Sequence, residues 1–106
     1  MAQKSVRTPE VEELLSALVS LTHNEEAFRL LEDLCTPREI LEIAQRLTVA
    51  GMLSGGAHYA TIQEKTGASA TTIARVSKAL NYGSGGYQRA LEMLAEDRAA
   101  SEEGAR

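Results

Sequence analysis

Two runs of helical period meet at a glycine near the middle of this chain, and that junction restricts the fold more than any other feature of its 106 residues. The first run is Ala60-Thr61-Ile62-Gln63-Glu64-Lys65-Thr66, preceded by Tyr59, the second extends to about Leu80 with Ser69 placed to cap it, and Gly67 interrupts between them. A glycine free to take a positive φ lets one helix stop and the next cross it steeply within three or four residues. The apolar positions fall where such a junction needs them, with Ile62 on the first helix facing Ile73 and Val76 on the second. This is the spacing of a helix-turn-helix over about 59–80. Gln63 stands where alanine or glycine usually eases the contact between the two helices, so a plain helical hairpin fits the same residues.

The remaining chain also reads as helix. Thr8 and Pro9 form a cap followed by a residue whose backbone angle suits the first helical position, and Glu10, Glu12 and Glu13 favour the positive helix end. Val11, Leu14, Leu15, Leu18 and Val19 then make an apolar stripe that wants a partner, either a second chain or the rest of its own. Asn24 is placed to cap a second helix bearing Ala27, Phe28, Leu31 and Leu34 on one face. Thr36-Pro37-Arg38-Glu39 is a capping box, so a third helix should start at Pro37 and run until Ser54-Gly55-Gly56 breaks it. After the junction, Asn81-Tyr82-Gly83 should end the fifth helix through a left-handed residue. A sixth, starting near Gly85, carries Tyr87, Ala90, Leu91 and Leu94 on one face. Apolar periodicity is lost over 99–106, where a disordered tail is expected. The expectation is one all-α domain of six helices over 1–98.

On the second helix of the junction, Ile73, Val76 and Leu80 share one side at about 100° per residue. Thr71, Ala74, Arg75 and Lys78 lie broadly opposite, on a face free to enter a groove. Its first turn offers small groups, Ala70, Thr71 and Thr72, which allow close approach to a base edge or a thymine methyl, while Lys78 can reach phosphate. Ser69 and the helix N-terminus add donors for a backbone phosphate. The wheel position of Arg75 allows it to face either DNA or a pocket. The chain has a formal charge of −4, but it divides as −4 over residues 1–35, +2 over 36–80 and −2 over 81–106. The basic centre is compatible with phosphate contact, although charge alone would not point to nucleic acid.

Other chemistries find little support. His23 and His58 are the only histidines, no metal-ligand or nucleophile-base spacing appears, and no catalytic residue, metal or cofactor is expected. The single cysteine, Cys35, cannot form an internal disulfide, and no run approaches the roughly 18 apolar residues of a membrane span. The N-terminal MAQKSVRTPE lacks an apolar stretch behind its positive charges, so a cytoplasmic setting without a secretion signal is expected.

These residues resemble the Trp-repressor-like superfamily, and most closely its YerC/YecD branch of TrpR-related proteins. The likeness runs from about Leu14 to Leu94. Its most specific pieces are Leu34-Cys35-Thr36-Pro37-Arg38-Glu39-Ile40, Ala44-Gln45-Arg46-Leu47, Gly67 to Val76 and Leu80-Asn81-Tyr82-Gly83. The resemblance implies an intertwined homodimer that presents two helix-turn-helix units to double-stranded DNA as a transcriptional regulator, in the manner of a repressor. It also implies an effector pocket: Arg46 matches the arginine that contacts the ligand carboxylate, Arg75 the arginine stacked over the indole, and Thr36 a threonine beside them. Val76 and Ala79 replace the family's glycine and serine, and Asp33 and Cys35 replace leucines. Three added carbons at Val76 would crowd an indole ring. Tryptophan is therefore not the expected effector, and a different small anionic one is left open. The DNA-reading residues are expected to be Ser69, Ala70, Thr71, Thr72, Ala74, Arg75 and Lys78. A helical adaptor that keeps the fold but binds protein is the alternative, favoured by the acidic total charge.

Overall fold

The computed structural model describes residues 5–104, and among them every regular element is an α-helix. In chain order these are α1 (Pro9–Ser20), α2 (Asn24–Leu34), α3 (Pro37–Ser54), α4 (Tyr59–Thr66), α5 (Ala70–Tyr82) and α6 (Gly86–Gly104). The helices fall into two compact units, residues 1–40 and 41–106, that meet at Ile40 and Leu41 within α3.

In the first unit, local sequence accounts for most of the helix starts. Thr8 Oγ1 accepts from the Val11 N–H at 3.3 Å, with Pro9 following it. The capping box at α3 is complete: the Thr36 N–H donates to Glu39 Oε1 at 2.8 Å, and the Glu39 N–H donates to Thr36 Oγ1 at 3.1 Å. The bond from the Thr36 backbone holds the Glu39 carboxyl below its ordinary value of 4.5, helped by the bond to the Thr36 side chain. Asn24 is already inside α2, and the residue before it, His23, makes no side-chain cap bond. Glu25 and Glu26 in the first turn complement that helix end instead. No residue of α1 or α2 is buried, and the apolar stripe of α1 leaves Leu14, Leu15 and Leu18 39%, 36% and 41% exposed.

The second unit holds the core. Val49 and Ala50 of α3, Ile62 of α4, Ala68 of the turn, and Ile73 and Val76 of α5 are buried together, and Tyr87 and Leu91 of α6 pack against them. The turn between α4 and α5 is held by a chain of bonds. Gly67 takes φ +75° and its N–H donates to the Gln63 carbonyl at 2.9 Å. Thr66 Oγ1 donates to the Ile62 carbonyl at 2.7 Å and accepts from the Ala68 N–H at 3.1 Å. From α3, Gln45 Nε2 donates to the Thr66 carbonyl at 3.0 Å. Gln63 itself is exposed, so its bulk does not enter the contact between α4 and α5.

Two endings differ from the sequence reading. α5 continues to Tyr82, and Gly83 beyond it is extended (φ −89°, ψ −152°) rather than left-handed. Glycine is required there for space, because a Cβ would lie 2.3 Å from the Ala79 carbonyl oxygen. The left-handed residue is Gly85, at φ +86°, just before α6. α6 in turn runs to Gly104, through much of the segment expected to be disordered, and residues 105–106 lie outside the described residues. Ala99, Ala100 and Glu102 favour helix intrinsically even without an apolar face.

Two outcomes test this account. Nothing lies within 4 Å of a Cβ built on Gly67, so Gly67→Ala should cost only the left-handed backbone term, about 1–2 kcal/mol in urea unfolding. The depressed Glu39 carboxyl contributes stability above its unfolded pKa, and that contribution is lost as pH falls through its lower folded value. Unfolding midpoints of Glu39→Gln should accordingly show a shallower fall with acidification than those of the wild type.

Candidate nucleic-acid interface

Burial of Ile73, Val76 and Leu80 fixes the rotation of α5 about its own axis. Ser69, Ala70, Thr71, Ala74, Arg75 and Lys78 are thereby exposed, while Thr72 is half-buried. The polar groups at the start of the helix are not equivalent. Ser69 Oγ accepts from the Thr72 N–H at 3.1 Å and donates to Thr72 Oγ1 at 3.0 Å. Those two side chains are engaged in closing the cap, which leaves Thr71 as the exposed threonine of the first turn.

The electrostatics of this helix differ from those of the chain as a whole. α5 contains no aspartate or glutamate, and among the described residues neither Arg75 nor Lys78 has a carboxylate within ion-pair distance. Both cations are therefore available to an anion from solution.

Behind this face, Arg46 of α3, Thr72, Arg75, Val76 and Ala79 of α5, and Tyr87 of α6 line a cleft of about 230 Å³. A second, of about 470 Å³, shares Arg46, Ala79 and Tyr87 with it and extends along Leu47 and Ala90. The two arginines singled out in the sequence thus come together, and Arg75 belongs both to the outward face of α5 and to the cleft wall. Thr36 belongs to the first unit, where its hydroxyl is engaged in the cap of α3. Val76 is 1% exposed, so its side chain is a packed part of the core at the cleft floor. Tyr87 was read only as one member of an apolar face, although an aromatic in the first turn after a tight return could have marked it as a cleft wall. Among the described residues, no group of three His, Cys, Asp or Glu could hold a metal, and no helix is long and apolar enough to cross a membrane.

Among the described residues, six helices without strands set an exposed cationic helix against a buried junction. The chain belongs to the Trp repressor family: the family described as Trp repressor protein matches residues 9–95. Members of that family are regulators rather than enzymes. Over 91 residues the chain is 45% identical to the uncharacterized protein YerC of Bacillus subtilis (strain 168), which covers 86% of this chain and 88% of YerC. Among solved structures, it is similar to a TrpR like protein from Eubacterium eligens ATCC 27750. The TM-score there is 0.81 and the identity 48%, over 85% of this chain and 93% of that one. A Trp-repressor-like chain from Staphylococcus aureus gives the same TM-score, 0.81, at 39% identity, over 85% of this chain and 90% of its own.

Because Ser69 acts through the cap, Ser69→Ala should lower stability by about 0.5–2 kcal/mol in chemical unfolding, the range for loss of an N-cap hydroxyl.

Proposed function

We propose that the chain is a homodimeric, sequence-specific DNA-binding repressor of transcription acting in the cytoplasm, with α4 and α5 as a helix-turn-helix that reads the major groove. The observation that carries this reading is the outward face of α5, where small side chains and two cations without an ion pair among the described residues stand exposed on a helix with no acidic residue. Thr71, with Ala70 and Ala74 beside it, would approach base edges, Arg75 and Lys78 would meet phosphate, and Ser69 and Thr72 would hold the helix start in position. Membership of the Trp repressor family supports the same assignment.

Pairing of two copies is supported by the apolar stripe of α1, and by Phe28 and Leu34 of α2, which remain open in the single chain. Two copies related by symmetry would address half-sites about one turn of DNA, roughly 34 Å, apart. The cleft between Arg46 and Arg75 would take a small anionic effector. With Val76 packed at its floor and Ala79 offering no hydroxyl, it is poorly suited to tryptophan.

The adaptor reading, in which the fold binds protein, draws on the net charge of −4. Selection of bound duplexes from a random pool, with and without amino acids, separates the two. The repressor reading requires a selected sequence whose affinity falls steeply with salt. Enrichment of no sequence at low salt would leave the adaptor. On the selected duplex, Thr71→Ala should relax preference at one position, at a cost of about 0.5–1.5 kcal/mol. Lys78→Ala should weaken all duplexes alike and lower the salt slope by about one.

A further inference from the structure

Among the described residues of the second unit, Tyr82 is the most exposed large hydrophobic side chain, at 87%. It occupies the last position of α5, where the sequence suggests only a helix end. Continuation of the helix to this residue has a geometric consequence. Thr71, Arg75, Lys78 and Tyr82 are spaced i, i+4, i+7 and i+11, which places all four on one stripe. Tyr82 therefore faces the same way as the groove-reading threonine, about 16 Å further along the helix axis at 1.5 Å per residue.

The site is also held firmly. The Gly83 N–H donates to the Ala79 carbonyl at 2.9 Å, Asn81 Nδ2 donates to the Ser77 carbonyl at 2.9 Å, and Gln88 Nε2 from α6 donates to the Leu80 carbonyl at 3.0 Å. The lack of a side chain at Gly83 allows the chain to turn tightly away just beyond the tyrosine, so α5 ends on an uncovered ring carried by an anchored backbone. A tyrosine has only two side-chain torsions to immobilise, so a contact made from such a position loses little entropy.

We propose that Tyr82 is a further DNA contact, its phenolic hydroxyl donating a hydrogen bond to a phosphodiester at the far rim of the groove entered by Thr71. This rests on the DNA-binding reading given above. The major groove is about 12 Å wide, less than the distance from Thr71 to Tyr82, so a helix with its first turn among the bases carries its last residue out to the backbone. Phosphate is a strong acceptor, and a phenol is among the groups that contact it. The contact positions the helix and carries no sequence information.

The test uses Tyr82→Phe, which keeps the ring and the fold and removes only the hydroxyl, titrated against the selected duplex alongside wild type and Lys78→Ala. The expected result is a loss of about three- to tenfold in affinity, the scale of one neutral hydrogen bond. That loss should be equal for all duplexes, and the salt slope should not change, because a neutral hydroxyl displaces no counterion. Unchanged affinity in Tyr82→Phe, with Lys78→Ala weakened, overturns the inference and leaves the DNA-binding reading intact. A change of preference at one base position overturns the phosphate assignment. In Tyr82→Ala, an altered sedimentation coefficient without altered duplex affinity would assign the ring to a protein contact instead. Failure of the wild-type chain to bind any duplex removes the DNA-binding reading and this inference together.

Discussion

Three buried side chains beneath one glycine determine how the rest of the second unit is presented. Ile62 of α4 meets Ile73 and Val76 of α5 in a core that also takes in Val49 and Ala50 of α3. Removing each of those three side chains from water stabilises the fold by about 1.5–3 kcal/mol, so that together they exceed what the left-handed conformation of Gly67 would cost a residue with a side chain. The contact does more than stabilise. Burying positions 73, 76 and 80 leaves α5 only one rotation about its axis, so the residues opposite them must face solvent. Gln45 reaches from α3 to the last carbonyl of α4, and Gln88 reaches from α6 to the end of α5. The end of α4 and the end of α5 are thus each braced by a side chain from a neighbouring helix.

Charge is organised on the scale of single helices. The chain is acidic overall, at −4, yet α5 is purely cationic. Screening in salt limits the reach of exposed charges to roughly 8–10 Å, so a ligand at α5 responds to Arg75 and Lys78 more than to acidic groups on distant helices. Arg75 couples two surfaces, because it stands on the outward face and also lines the cleft with Arg46 and Tyr87. An anion drawn into that cleft would compete with phosphate for the same guanidinium, which gives the proposed effector a physical route to the proposed DNA contact.

Much of this was legible from local rules. Thr36 and Glu39 announced the start of α3 because a capping box involves only groups three residues apart. Gly67 announced the turn, and the period of Ile73, Val76 and Leu80 identified the inner side of α5. The reading went astray where a residue admits more than one local role. Asn81-Tyr82-Gly83 was expected to end α5 through a left-handed residue, whereas Gly83 is extended and its requirement is space beside the Ala79 carbonyl. Asn24 was taken as a cap although the helix begins on it. The end of α6 was placed too early because apolar period was used as the criterion, while alanine and glutamate continue a helix without it.

The order of residues by itself determined that the chain is helical, where most helices start, which sides of them are apolar, and that α5 carries cations without acids. Those are consequences of neighbours within one or two turns. Only the tertiary structure decided that Thr72 is half-buried while Thr71 is open. It likewise brought Arg46 and Arg75, 29 positions apart, to one cleft, and carried Tyr82 onto the stripe of Thr71. Each of those depends on how far a helix continues and on what it packs against, and these are settled by contacts between segments distant along the chain.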